Sequence, residues 1–222
     1  LLLHGRSAAK LAGAEQAVRA VQGAKAVETY QADFSRLDQV ARLARDIAGR
    51  HAALDVLINN AGVLKAPDPV TPEGFDLRFI VNAVAPYLLT TRLLPLIGAE
   101  GRIINLSSAA QAPVNRKALA GQVRLSDMEA YAQSKLAITM WSRDLARRLA
   151  GGPSVVAVNP GSLLASKMVK EGFGVVGNDL RIGADILTRA ALSDEFSGMS
   201  GSYFDNDSHR FADPHPDALN AS

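Results

Sequence analysis

The sequence predicts an α/β protein built on a doubly wound, parallel sheet. Short apolar runs of strand length alternate along the chain with longer segments of helical periodicity. The apolar runs are continuous, which is typical of strands covered by helices on both faces. Right-handed crossovers would place those helices on both sides of the sheet. No repeat, linker or low-complexity segment divides the chain, so we expect a single domain over residues 1–222.

The predicted strands are apolar runs that end at glycine or polar residues. They cover residues 1–4, 26–32, 54–58, 102–106, 154–158 and 201–204. Parallel strands of a doubly wound sheet bind ligands beyond their carboxyl ends. The residues at or just past these ends are Arg6, Asp33, Asn59, Ser108 and Pro160-Gly161. We therefore expect the functional site at this edge of the sheet.

The predicted helices follow from apolar spacing and capping residues. They cover residues 7–21, 35–50, 71–97, 126–150 and 180–192. Ser7 is placed to cap the first helix, and Ser35 with Asp38 matches a capping box for the second. Pro86 lies inside the third helix and should bend it, because proline has no N–H to donate.

Composition and charge exclude several classes of function. The net charge of +2 is spread along the chain, so no clustered basic face indicates nucleic-acid binding. There is no cysteine, and the four histidines lack metal-ligand spacing, so no metal site is expected. No uninterrupted apolar run reaches about 18 residues, so no membrane span is expected. We expect a cytoplasmic protein, and a homo-oligomer remains open.

One helix carries a pair of residues suited to acid/base chemistry. Tyr131 and Lys135 are four residues apart, so their side chains share a helix face. A fixed positive charge near a phenol favours the phenolate and should lower the tyrosine pKa. Taken alone, a surface tyrosine above a solvated lysine is the commoner arrangement. None of the other three tyrosines has a lysine four residues further on.

Together the motifs resemble those of the short-chain dehydrogenase/reductase family, over essentially the whole chain. The matching motifs, each on the expected kind of element, are Asn59-Asn60-Ala61-Gly62, Asn82, Ser107-Ser108, Tyr131-x-x-x-Lys135 and Pro160-Gly161. The resemblance implies a Rossmann-like fold and an oxidoreductase that transfers a hydride between a nicotinamide dinucleotide and a carbonyl or alcohol. It implies catalytic roles for Asn82, Ser108, Tyr131 and Lys135.

By the same resemblance, Tyr131 exchanges the proton and Lys135 also binds the nicotinamide ribose. Ser108, rather than Ser107, holds the substrate oxygen, and Asn82 anchors a water of the proton relay. Cofactor contacts are implied for Arg6, Ser7, Asp33, Phe34, Asn60, Ala61, Gly62, Tyr131, Lys135, Pro160, Gly161 and Ser166. Gly5 stands where enzymes that prefer NAD carry an acidic residue, and the Arg6 guanidinium suits a 2′-phosphate. We therefore expect NADP, with NAD less favoured.

Two features depart from the family pattern. The glycine-rich phosphate turn belongs to the strand–turn–helix unit that would precede Leu1, so we expect about 25–40 residues upstream, the size of one such unit. Twenty-three positions separate Ser108 from Tyr131, more than the family's usual dozen. A comparable insertion occurs in the branch resembling retinol dehydrogenases, and Gly201-Ser202-Tyr203-Phe204-Asp205 fits that branch too.

Other functions remain open from the sequence. A non-catalytic dinucleotide sensor or scaffold could share this fold, but such proteins typically lose the tyrosine or the lysine. An epimerase or dehydratase of the extended branch usually has a larger region after Pro160. Segments 109–125 and 162–179 should form the pocket walls, and the apolar residues of the second segment indicate a small, lipophilic carbonyl or alcohol substrate.

Overall fold

The computed structural model describes residues 1–220, without the side chains at positions 167 and 173. Its strands are β1 Leu2–Gly5, β2 Glu28–Gln31, β3 Leu54–Asn59, β4 Ile97–Leu106, β5 Ser154–Asn159, β6 Tyr203–Asp205 and β7 Arg210–Ala212. The helices are α1 Ala8–Arg19, α2 Leu37–Ala48, α3 Leu77–Phe79, α4 Ala85–Leu93, α5 Arg116–Leu119, α6 Asp127–Arg148, α7 Lys167–Phe173 and α8 Leu180–Leu192. The alternation of strands and helices confirms the predicted α/β class.

The strands pair in two separate sheets. β1 and β2 form a parallel pair, while β3, β4, β5 and β6 form a parallel sheet that ends in the antiparallel β7. Among the described residues no main-chain ladder joins β1 to β3. The expected sheet is therefore present in two pieces, and the facing edges of β1 and β3 line one cleft. Side chains on β3 such as Ile58, which is 40% exposed, remain open to it.

Alternation along the central strands places apolar side chains on both faces. On β4, Ile103 points to the face covered by α6, where it packs with Leu145, while Ile104 points to the face covered by α8 and packs near Ile186. Neighbouring β5 repeats the pattern with Val155 and Val156. The two-faced burial explains why these strands are continuously apolar, and it fixes the carboxyl ends of the strands at one edge.

The long helix predicted over residues 71–97 is shorter and irregular. It begins at Leu77, widens into a π-helical segment at Ile80–Val84, continues as α4 and tightens into a 3-10 turn at Leu94–Leu96. The irregular segment lies directly before Pro86, whose missing N–H breaks the regular hydrogen-bond ladder. The helix around Pro86 therefore changes its pitch along its length.

The stretch Leu77–Leu96 is also long and apolar enough to cross a membrane. The expectation of no span rested on uninterrupted apolar runs, and two arginines interrupt this one. More than half of its residues are buried inside the protein, where the helix packs against α2 and α6. The core helix of a globular domain has the same length and composition.

Some predicted local features are wrong or incomplete. Ser35 does not cap α2: its hydroxyl donates to Asp33 Oδ1 at 2.8 Å, and the N-cap position is Arg36, without a side-chain bond. The strand β7 was not predicted, because it is three residues long and lies in a segment rich in proline, aspartate and histidine. Segments 109–125 and 162–179, for which no helix was predicted, contain the short helices α5 and α7.

Candidate active site

A cleft of about 2400 Å³ opens at the carboxyl ends of β1, β3, β4 and β5 and continues between the edges of β1 and β3. It is larger than the roughly 300–1,000 Å³ of a typical ligand pocket, because it joins the site to the gap between the two sheets. Most of the residues predicted for the site line it: Arg6, Asp33, Phe34, Asn60, Ala61, Gly62, Ser108, Tyr131, Lys135, Pro160, Gly161 and Ser166. Ser7 and Asn82 do not.

The helix α6 carries Tyr131 into this cleft. Ser126 caps α6 through a capping box with Glu129. The Ser126 hydroxyl accepts from the Glu129 N–H, and the Glu129 carboxylate accepts from the Ser126 N–H. Tyr131 lies in the second turn and is half-buried. Its burial raises the pKa of the Tyr131 phenol, and the hydrogen bond with the Ser108 side chain only partly offsets this. The phenol is therefore protonated at neutral pH.

Lys135 is buried one turn further along α6, with 4% of its surface exposed. Its Nζ donates to the Leu106 carbonyl at 2.7 Å and lies 5.6 Å from the centroid of the Tyr131 ring. Burial lowers the pKa of Lys135 to about 8. The expectation that Lys135 lowers the pKa of Tyr131 is not met, because burial raises that pKa and the opposing effect comes from the Ser108 side chain.

The two serines after β4 have different environments. The Ser107 hydroxyl is 2.6 Å from Thr139 Oγ1 and donates to the Lys135 carbonyl at 3.1 Å, so it is part of the buried contact between β4 and α6. The Ser108 hydroxyl instead accepts from the Ala110 N–H at 3.1 Å and reaches Tyr131. This arrangement supports the choice of Ser108 over Ser107 as the residue that meets a ligand.

Asn82 is fully buried in the π-helical segment and connects three elements. Its Oδ1 accepts from the Val63 N–H at 2.7 Å, and its Nδ2 donates to the Val63 carbonyl and to Ser134 Oγ, each at 2.9 Å. Both amide hydrogens are therefore used in holding the segment after β3 against α6. Oδ1 keeps one lone pair, and the water that it is expected to anchor stays a prediction.

At the other end of the cleft, Arg6 is exposed directly after β1. Its carbonyl accepts from Gln31 Nε2 at 3.1 Å, which fixes the main chain at the rim. Ser7 caps α1 as predicted, accepting from the Lys10 N–H at 3.4 Å. A Cβ at Gly5 would lie 3.2 Å from Leu11 Cγ, so this position is tight as well as uncharged.

Asp33 and Phe34 follow β2 at the same rim. Asp33 Oδ1 accepts from both the N–H and the hydroxyl of Ser35, at 2.9 Å and 2.8 Å, which holds the carboxylate in place. The Phe34 ring is buried and stacks on His4 with 4.2 Å between ring centroids. The phenyl ring therefore belongs to the core beside β1.

The segment after β5 is held from behind by the turn that follows β6. Asn206 Nδ2 donates to the Pro160 carbonyl at 3.0 Å, and Asp207 accepts from the N–H of Ser162 at 2.8 Å and from its hydroxyl at 2.5 Å. Gly161 has a φ of 117°, which favours glycine. Motif spacing had not indicated Asn206 or Asp207, because they lie more than 40 residues from their partners.

The next segment, from Leu163 to Asn178, closes on itself to form a loop. The Ala165 N–H donates to the Asn178 carbonyl and the Asn178 N–H to the Leu163 carbonyl, both at 2.6 Å. Ser166 caps α7 within this loop, its hydroxyl accepting from the Val169 N–H at 3.3 Å. Ser166 therefore lies on the cleft with its hydroxyl engaged locally.

These residues fit a nicotinamide dinucleotide. An extended cleft at the carboxyl ends of parallel strands carries an exposed guanidinium at one end and an ammonium, a phenol and a hydroxyl at the other. Gly62 lies beside the ammonium, since a Cβ there would already contact Lys135 Nζ at 3.6 Å. The cations suit phosphate and ribose oxygens, while the phenol and the hydroxyl suit a carbonyl oxygen.

Comparison with known proteins gives a consistent result. A family model described as short chain dehydrogenase matches residues 1–173. Human retinol dehydrogenase 13 is 32% identical over 206 residues, covering 81% of this chain and 60% of the relative, and mouse retinol dehydrogenase 12 is 33% identical over 186 residues, covering 78% and 58%. The chain thus spans about 60% of the length of these curated relatives.

Solved structures agree over most of the chain. An uncharacterized protein from Mycobacterium paratuberculosis is 27% identical with a TM-score of 0.76, covering 99% of this chain and 78% of its own. A protein from Escherichia coli CFT073, described as a short chain dehydrogenase and solved with NADPH, is 25% identical with a TM-score of 0.72, covering 92% and 85%. The motifs, the cleft and these matches lead to one assignment: the chain belongs to the short-chain dehydrogenase family.

Proposed function

We propose that this protein is an oxidoreductase that transfers a hydride between NADP(H) and a carbonyl or alcohol, with Tyr131 as the acid/base. The observation that carries the proposal is the grouping of the Tyr131 phenol, the Ser108 hydroxyl and the Lys135 ammonium at one end of a long cleft. A non-catalytic sensor would not need to retain this grouping.

The chain's own residues would manage the proton and the substrate oxygen. Ser108 would hold the carbonyl oxygen beside Tyr131, and the phenol would donate its proton to that oxygen during reduction. A raised pKa keeps the phenol protonated, which suits the direction from carbonyl to alcohol. A bound dinucleotide supplies the hydride. Lys135 would bind the nicotinamide ribose while it stays protonated.

The preference for NADP over NAD is argued from the rim of the cleft. Arg6 is exposed there, and Gly5 carries no carboxylate to repel a 2′-phosphate. A charge-assisted bond from a guanidinium to a phosphate is worth roughly 1.5–3 kcal/mol. The E. coli protein similar to this chain was solved with NADPH, which supports the same choice.

The proposed substrate is a lipophilic aldehyde or alcohol. Apolar side chains line the cleft along the loop that follows β5 and at the start of α8, namely Leu163, Leu164, Met168, Val169 and Leu180. Relatives about 32% identical to this chain are named retinol dehydrogenases. A long apolar aldehyde would bury its chain against these residues while its oxygen reaches Ser108.

We also propose that a further parallel strand lies between β1 and β3 in the full-length protein, followed by a turn at the phosphate end of the cleft. The support is the pair of unpaired strand edges that face one cleft, since strand edges left open are normally paired or covered. Hydrogen exchange of the full-length protein should then find the amides of β3 strongly protected.

The test uses the full-length protein, NADPH and NADH, and a carbonyl panel of decanal, benzaldehyde, cyclohexanone and all-trans-retinal. NADPH should support reduction, fastest for decanal or retinal. Arg6→Ala should weaken NADPH binding by about 10- to 150-fold, the equivalent of 1.5–3 kcal/mol, and leave NADH nearly unchanged. Arg36→Ala is the matched control, because Arg36 is an exposed arginine nearby that does not line the cleft.

Three results would contradict these proposals. Dinucleotide binding without turnover of any panel member would favour the sensor. Equal weakening of NADPH and NADH by Arg6→Ala would remove the argument for NADP. Faster reduction of benzaldehyde and cyclohexanone than of the two long aldehydes would remove the argument for a lipophilic substrate.

A further inference from the structure

The main-chain carbonyl of Ser108 is held by two side chains, one distant in the chain and one three residues away. Tyr203 Oη donates to this carbonyl at 3.1 Å, and Gln111 Nε2 donates to it at 2.9 Å. The last sheet bond at this end of β4 is from the Ser107 N–H to the Val158 carbonyl, at 2.8 Å. Ser108 therefore lies just past the sheet, and the two side chains supply the donors that a strand would otherwise supply.

The first donor is fixed by its strand. Tyr203 is 4% exposed on β6, where it is paired with Ala157 of β5 and Ala212 of β7. Burial, together with the negative charge of Asp205, raises the pKa of the Tyr203 phenol, so it stays a donor at any working pH. A phenol held between two strands is a rigid support for a loop residue.

The second donor depends on the C-terminal segment. Gln111 lies in the loop after Ser108, and its Oε1 accepts from the His215 N–H at 3.3 Å. The segment after β7 thus orients the Gln111 amide, whose Nε2 then meets the Ser108 carbonyl. Both supports of Ser108 come from the chain beyond β5 or are oriented by it.

We propose that Tyr203 is a positioning residue for the reaction, acting through the main chain of Ser108; this inference rests on the proposed function. The Ser108 hydroxyl has to meet both the substrate oxygen and the Tyr131 phenol. Because the Tyr203 bond ties the Ser108 carbonyl to the sheet, losing it lets the Ser108 hydroxyl drift from that position. A misplacement near 1 Å costs up to about 100-fold in rate, so a loss of roughly tenfold is expected for one of two supports.

The experiment is a double-mutant cycle in the full-length protein, with NADPH and the fastest member of the carbonyl panel. Tyr203→Phe keeps the buried ring and removes only the hydroxyl. It should lower kcat about tenfold with the NADPH Kd unchanged, and it should cause no further loss when Ser108 is already alanine. Tyr30→Phe is the matched control, because Tyr30 is also a buried strand tyrosine, with its hydroxyl bonded to Glu28 and His51, away from Ser108.

The outcomes separate this inference from the function on which it rests. The positioning role would be overturned if Tyr203→Phe kept full kcat. It would also be overturned if Tyr203→Phe lowered kcat equally in the wild-type protein and in Ser108→Ala. An equal loss in Tyr30→Phe would show a general effect on stability. Full activity in Ser108→Ala would instead refute the proposed function. If Tyr203→Phe does not fold, Gln111→Leu removes the other donor and should show the same dependence on Ser108.

Discussion

Replacing Lys135 by methionine tests whether a buried ammonium with a lowered pKa lies beside Tyr131. Lys135 is 4% exposed, and burial lowers its pKa from 10.5 to about 8. Between those two pH values the unfolded chain binds more protons than the folded one, so the free energy of unfolding should rise with pH. Below about pH 8 both states are protonated, and the cost of burying the charge is present in full.

The size of the effect follows from the shift. Each tenfold change in proton affinity is worth about 1.4 kcal/mol, so the rise across this window is on the order of 3 kcal/mol. Methionine has a similar unbranched shape and no charge, and it leaves the Leu106 carbonyl without its donor, a loss of about 1–3 kcal/mol that does not depend on pH. The variant should therefore lack the rise, whatever its stability at neutral pH.

Urea unfolding at a series of pH values from 7 to 10 measures this difference. Wild-type protein should gain stability relative to Lys135→Met above about pH 8, while Lys117→Met should run parallel to wild type, because Lys117 is exposed. A constant difference between wild type and Lys135→Met across the series would refute the account of a charge held in the interior with a lowered pKa.

Two further predictions concern elements that frame the cleft. Arg78 is 1% exposed and pairs with Asp76 at 2.7 Å and with Asp127 at 2.8 Å. Arg78→Met should lower the free energy of unfolding in urea by about 3–5 kcal/mol, because it leaves the buried Asp76 unpaired. Adding Asp76→Asn should recover part of this loss, and no recovery would contradict the explanation. Gly177 has a φ of 81°, and a Cβ there would lie 2.6 Å from the Leu163 carbonyl oxygen. Gly177→Ala should therefore open the loop. The KM for the carbonyl substrate should rise at least several-fold, while the Kd for NADPH should change less. Gly174→Ala is the control for Gly177→Ala, since φ is 70° but no atom lies within 4 Å, and equal effects would exclude the clash as the cause.

The regular parts of the fold were predictable because local chemistry determines them. The residue that caps α1, Ser7, was predicted, and α8 has the bounds that its apolar spacing indicated. These features depend on neighbours within a few residues.

Features that depend on distant neighbours were less predictable from the sequence. The pKa of Tyr131 was expected to fall on the strength of Lys135, but the burial that raises it comes from elements brought together by the fold. The supports of Ser108 and Ser162 come from Tyr203 and Asp207, which lie 95 and 45 residues away in the chain. No pattern of spacing identifies such partners.

The most direct test of the central proposal is the turnover of Tyr131→Phe. Phenylalanine keeps the ring on α6 and removes only the transferable proton. With NADPH and the fastest member of the carbonyl panel, kcat should fall by about 10²–10⁴-fold, the usual cost of losing a positioned acid, while the Kd for NADPH stays within about twofold of wild type. A kcat near the wild-type value, with NADPH still bound, would contradict the assignment of Tyr131 as the acid/base.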